Sequence, residues 1–189
     1  MLFHDDPGWV REMISFWEDY LAALLKRVLQ CVVPDLICIS EDMAYKRFPM
    51  ISPAMTREFL LPTYQRWGRM ILEAGCPLFA IDSDGFVGDL IPVWIEGGVN
   101  VCMPMEVAAG NDLLDSRRRF GKAMAFQGGV DKRIIARGGE DLEAHLDHLE
   151  SVIQDGGYIP SCDHAVPADV CWPDYLHYVR VLAGKTGWL

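Results

Sequence analysis

The chain has 189 residues, 51% of them hydrophobic and 23% charged, and 17 Lys and Arg against 27 Asp and Glu leave a formal net charge of -10. With a mean hydropathy of +0.11, residues 1–189 are expected to form a single folded domain, neither disordered nor embedded in a membrane. The acidic balance excludes nucleic acid and anionic bilayers as expected partners, because both are polyanions.

No run approaches the roughly 20 apolar residues of a membrane helix, and His4, Asp5 and Asp6 are unlike the start of a secretory signal. Six cysteines without a CxxC pair read as reduced thiols, so a cytoplasmic location is expected.

Asp6 and Pro7 open a helix over residues 7–30, with Val10, Met13, Ile14, Trp17, Leu21, Leu24, Leu25 and Val28 at helical spacing. Leu36 to Ile39 is too short and too apolar for anything but a buried strand. Ser52-Pro53 starts a helix running to about Ala74, with Pro62 marking a kink or break and Gly75 ending it.

The unit then repeats: a strand over 77–81, a helix over 86–96, a strand over 99–103, a helix over 111–120 and a strand over 123–126. Leu142, Leu146, Leu149 and Ile153 give another helix, a short strand follows near Tyr158, and residues 173–183 close the chain as a helix. Buried strands alternating with amphipathic helices imply an α/β fold with a parallel sheet.

Each strand leads into polar residues: Ser40-Glu41-Asp42, Asp82-Ser83-Asp84-Gly85, Glu106, Gln127-Gly128-Gly129 and Ser161-Cys162-Asp163-His164. In a parallel sheet these ends share one side, as at the active face of a (β/α)8 barrel. A flavodoxin-like sheet would use fewer strand ends, and no GxGxxG or Walker segment is present to cradle a phosphate. Five strands do not close an eight-stranded barrel, so the expected architecture is a partial barrel, completed by further strands or by another chain.

Asp82 and Asp84, two residues apart, point to one side and can share a proton, hold a metal or cap the next helix. Cys162 has polar neighbours, and a thiolate with carboxylates is a zinc-type donor set that His164 can complete or serve as proton donor. Cys31, Cys38, Cys76 and Cys102 are expected to pack as small hydrophobes, and Trp17, Trp67 and Trp94 to lie in the core. The His145/His148 pair and Arg117-Arg118-Arg119 read as solvated helix faces.

The strand-end segments resemble the uroporphyrinogen decarboxylase superfamily across nearly the whole chain. The residues that carry the likeness are Ser40 to Lys46, Ile51-Ser52-Pro53, Asp82 to Gly85, Pro104 to Val107, Gln127 to Lys132 and Ser161 to Pro167. The resemblance implies the C-terminal part of a (β/α)8 barrel and one of two chemistries.

On the corrinoid-linked methyltransferase branch, favoured here, zinc would be held by Asp82, Asp84 and Cys162, and a corrinoid protein would be the partner. Asp82 and Asp84 replace that branch's His and Cys ligands. On the decarboxylase branch no cofactor is expected, the substrate is a tetrapyrrole, and uroporphyrinogen III is converted to coproporphyrinogen III. Asp42 stands where that branch has a substrate-binding Ser.

Either way the resemblance assigns catalysis to His164, Asp42 and Asp82, and substrate binding to Glu106, Gln127 and Tyr45. A third reading is an interaction module without catalysis, whose open strand edges recruit a partner.

Overall fold

The computed structural model describes residues 2–189. After a single turn, α1 (Leu2–Asp5), the Asp6 carboxylate accepts the Trp9 amide at 3.0 Å and starts α2 (Pro7–Cys31). Strand β1 (Leu36–Ser40) follows. Ser52 caps α3 (Pro53–Phe59) by accepting the Met55 amide at 3.1 Å. The helix expected over 52–74 is two helices, because Pro62 sits in the first turn of α4 (Leu61–Glu73) and has no amide to continue the α3 ladder.

The chain continues as β2 (Leu78–Asp82), α5 (Ile91–Glu96), β3 (Val101–Met105), a 3₁₀ turn (Val107–Ala109) and α6 (Leu113–Phe120). It ends with β4 (Ala125–Val130), α7 (Lys132–Arg137), α8 (Gly139–Asp155), β5 (Tyr158–Cys162) and α9 (Trp172–Thr186). All strand pairs are parallel and the order is β1-β2-β3-β4-β5, each strand beside its neighbour in sequence. Five parallel strands alternating with helices form a partial (β/α)8 barrel, as expected.

The core lies between the sheet and the helix layer. Phe79, Ile81, Cys102 and Phe126 from the strands meet Tyr64, Trp67, Ile71 and Trp94 from α4 and α5, all buried. Each large side chain placed there contributes about 1.5–3 kcal/mol. Leu142, Leu146 and Leu149 of α8 are buried as their spacing predicts.

Four expectations are corrected. The helix expected from residue 86 begins at Ile91, because Asn111 takes the Val87 amide at 3.1 Å and holds residues 86–90 as a loop, with Pro92 opening the helix. Trp17 is 57% exposed, whereas Trp67 and Trp94 are core. Cys31 and Cys38 are exposed, whereas Cys76 and Cys102 are buried.

Arg117 is not a solvated residue. Its guanidinium donates to the carbonyls of Gly121, Gly156 and Gly157 at 2.7–2.9 Å and to Met124 at 3.4 Å, tying the α6 exit to the turn before β5. Among the described residues no helix is long and apolar enough to cross a membrane.

Candidate functional site

The strands run one or two residues further than their apolar content suggests, so polar residues are carried on the sheet itself. Ser40 ends β1, Asp82 ends β2, Gln127 lies within β4, and Ser161 and Cys162 end β5. With Asp42, Asp84, Met103, Pro104, His164 and Ala165 they line one cavity of about 360 Å³ at the C-terminal ends of the strands. Side chains contributed by β1 and by β5, the outermost strands, thus face one space.

Two expected substrate-binding residues do not line it. Glu106 accepts the Gly85 amide at 3.0 Å and pairs with Lys132 Nζ at 3.3 Å, so it ties loops together. Tyr45 is 74% exposed, and only its backbone is engaged, with Phe48 and Phe86.

Within the cavity the imidazole is oriented. His164 Nδ1 accepts the Ala165 amide at 2.6 Å, which leaves the ring proton on Nε2, and Nε2 lies 3.2 Å from Asp84 Oδ2. The Asp84 amide lies 3.4 Å from Asp42 Oδ1. Asp42 has φ of 42°, a left-handed backbone uncommon outside glycine, at the point where the chain turns out of β1.

Burial holds the Asp82 carboxyl above the usual range, and the Asp84 and Asp42 charges add to this while His164 opposes it. Neither Asp82 nor Asp84 caps the next helix, since α5 has no side-chain cap. Ser83 Oγ instead accepts the Met43 amide at 2.9 Å, pinning the loop after β1 to the end of β2.

Sequence reasoning missed the residues that shape these loops. Asp163 is fully buried, and its two carboxylate oxygens accept the Val107 amide at 2.9 Å and the Lys132 amide at 3.0 Å. Asn111 accepts from Val87 and donates to the carbonyls of Gly85 and Glu106 at 2.8 and 3.0 Å. The one signal for Asp163 is its place beside Cys162 at a strand end, where period-two alternation turns it away from the cavity. Asn111 carries no comparable signal.

The donor set expected for zinc does not fit this arrangement. Asp82, Asp84 and Cys162 border the same cavity, yet among the described residues no three His, Cys, Asp or Glu side chains are grouped to hold a metal ion. Asp84 is turned to His164 rather than toward Cys162. The His145/His148 pair is no alternative, because His145 Nε2 faces the Asp131 amide and the Gly129 carbonyl at 3.2 and 3.3 Å.

A "Uroporphyrinogen decarboxylase" of Nocardia farcinica (strain IFM 10152) is 29% identical over 145 residues. The match covers 77% of this chain and 38% of that protein, so the chain spans well under half of the relative's length. No family model matches the chain. This likeness supports the uroporphyrinogen decarboxylase superfamily.

Proposed function

We propose that this chain carries the proton-transfer half of a cofactor-independent carboxy-lyase site. Its substrate is a pyrrole-type carboxylate of the uroporphyrinogen class. The observation that carries the reading is the His164–Asp84 pair set in a cavity with Asp82 and Asp42.

Loss of CO₂ from an acetate side chain breaks a C–C bond and leaves its electron pair on the methylene carbon. A proton must then arrive to give the methyl group. Asp82, whose carboxyl burial holds above the usual range, is the acid placed to deliver it and is re-protonated from solvent, while the neutral His164 donates Nε2–H to orient Asp84 beside it. Asp42 and Asp84 accept hydrogen bonds from pyrrole N–H groups and offset positive charge that develops on the ring. Gln127 and Ser161 supply neutral donors for the carboxylate that leaves.

Three carboxylates suit N–H donors better than a bare polycarboxylate. The substrate's remaining carboxylates are therefore assigned outside this cavity. The ungrouped zinc donors support this branch over methyl transfer.

The test is anaerobic incubation of the chain with uroporphyrinogen III in the presence of a chelator, followed by chromatography of the oxidised porphyrins. Decarboxylated products are expected, with turnover reduced about 100-fold or more in His164→Gln and Asp82→Asn. Absence of product from the wild-type chain overturns the reading. So does activity that appears only with added zinc and a methylated corrinoid, which returns the methyltransferase branch.

A further inference from the structure

Behind the cavity, on the helix side of the sheet, stands a second set of polar side chains that the proton transfer does not use. At the end of β1 the period of two sends Ser40 and Asp42 into the cavity, so Ile39 and Glu41 turn to the helix layer. Glu41 is half-buried there beside the Tyr64 hydroxyl of α4. The Trp94 indole N–H of α5 lies beside Tyr64 in turn.

Tyr64 and Trp94 are both fully buried, yet neither Tyr64 Oη nor Trp94 Nε1 closes a hydrogen bond of ordinary length. Unpartnered donors so far from water are uncommon in a folded chain. Tyr64 is also clamped in place. A Cβ at Gly97 would stand 2.6 Å from the Tyr64 Cβ, so only glycine lets α4 come this close to the end of α5. The acceptor set before the Tyr64 hydroxyl is the Glu41 carboxyl.

The next residue in the chain is Asp42, whose φ of 42° is a backbone that a non-glycine residue keeps only where its surroundings hold it from both sides. After it, the Met43 amide is tied to Ser83 Oγ at 2.9 Å. Before it, the Glu41 amide is tied to the Asp82 carbonyl at 2.9 Å. Glu41 is therefore the last residue fixed to the sheet before the turn begins.

We infer that Glu41 is a positioning residue for the Asp42 carboxylate, held from behind by Tyr64 and Trp94. The indole N–H orients the hydroxyl, the hydroxyl orients the Glu41 carboxyl, and Glu41 holds the first half of the turn. The second half sets Asp42 Oδ1 3.4 Å from the Asp84 amide. With β1 between them and the guest, the three residues act only through Asp42. Their consequence for turnover rests on the carboxy-lyase reading, in which Asp42 receives a pyrrole N–H; the positioning itself does not.

Nitrogen-15 correlation spectra of the full chain test the positioning without substrate. Tyr64→Phe removes one hydroxyl and is expected to move the Trp94 indole signal together with the Asp42 and Asp84 amides. The Val107 and Lys132 amides, which Asp163 ties, are expected to stay. Glu41→Leu is expected to move the same signals, whereas Glu41→Gln, which keeps a carbonyl acceptor at the same reach, leaves the Asp42 and Asp84 amides in place. If Glu41→Leu loses the wild-type circular dichroism, Tyr64→Phe decides alone. Asp42 and Asp84 signals that do not move, or shifts spread equally over Val107 and Lys132, overturn the proposal.

Turnover of uroporphyrinogen III supplies the second readout. Tyr64→Phe is expected to lower kcat about 10-fold with KM changed less than about 2-fold, and to cost nothing further in an Asp42→Asn background, because both changes act at one carboxylate. Losses that add across the two backgrounds overturn the proposal. A wild-type chain without turnover overturns the carboxy-lyase reading instead, and the spectra then decide the positioning.

Discussion

Glu41 follows β1 directly, its amide continuing the ladder onto the Asp82 carbonyl at 2.9 Å, and its side chain is drawn out of water beside the Tyr64 hydroxyl. Burial pushes its carboxyl from an ordinary 4.5 up to about 7, only partly opposed by Tyr64. A raised carboxyl in the folded state means that folding takes up a proton between those two pH values. Its contribution is therefore fully favourable below pH 4.5 and is lost as pH rises through 7. At about 1.4 kcal/mol per pH unit, the loss amounts to about 3 kcal/mol.

Glu41→Gln keeps the shape of the side chain and removes the titration. The stability gap between variant and wild type is expected to move by about 3 kcal/mol in the variant's favour between pH 4 and pH 8. Urea unfolding at fixed protein concentration across that range measures it, the fixed concentration removing any contribution from self-association. A gap that stays constant with pH, or that shifts toward the wild type at high pH, would refute the assignment.

Two further outcomes follow from loop architecture. Arg117→Ala leaves four carbonyls without their shared donor and is expected to lower stability by about 3 kcal/mol, with Arg117→Lys recovering only part because an ammonium lacks the forked geometry; urea midpoints compare the three chains. Gly85→Ala puts a Cβ within 2.8 Å of the Ala44 carbonyl at a φ of +84°, so it is expected to cost about 2 kcal/mol or more and to displace Asp84; calorimetry measures the first and loss of turnover the second.

The elements most legible in the sequence were those whose pattern reports a local rule. Asp6-Pro7 and Ser52-Pro53 announced helix starts because capping and proline geometry act within four residues. The α8 stripe announced its buried face because helical period and burial coincide there. Trp17 shows where that logic stops: spacing identifies an apolar face but not what covers it, and the Trp17 side of α2 is exposed while Val10, Ala22 and Leu25 are buried.

Arg117 and Glu106 show a second limit. A charged residue on a helix or at a strand end looks the same in sequence whether it meets water or backbone groups of a distant loop, and here both meet loops. The cavity was legible as a set of strand ends, and Ser40, Asp42, Asp82, Asp84, Gln127, Cys162 and His164 do share it. Their donor geometry was not legible, because which side chain turns to which is decided by contacts such as Ala165 to His164 and Met43 to Ser83.

Those contacts also separate support from chemistry within the site. Ser83, Asn111 and Asp163 are buried and spend their polar atoms chiefly on backbone amides and carbonyls, which fixes three loops at the strand ends without presenting a reactive group. Asp42, Asp82, Asp84 and His164 keep polar atoms toward the cavity, and the charges of Asp42 and Asp84 help raise the Asp82 carboxyl. A site made only for structural tying would have neutralised these carboxylates with the arginines that pair elsewhere on the surface, as Arg57 does with Glu96. Among the described residues His164 is the only basic side chain lining the cavity, and that imbalance favours a guest rich in N–H donors.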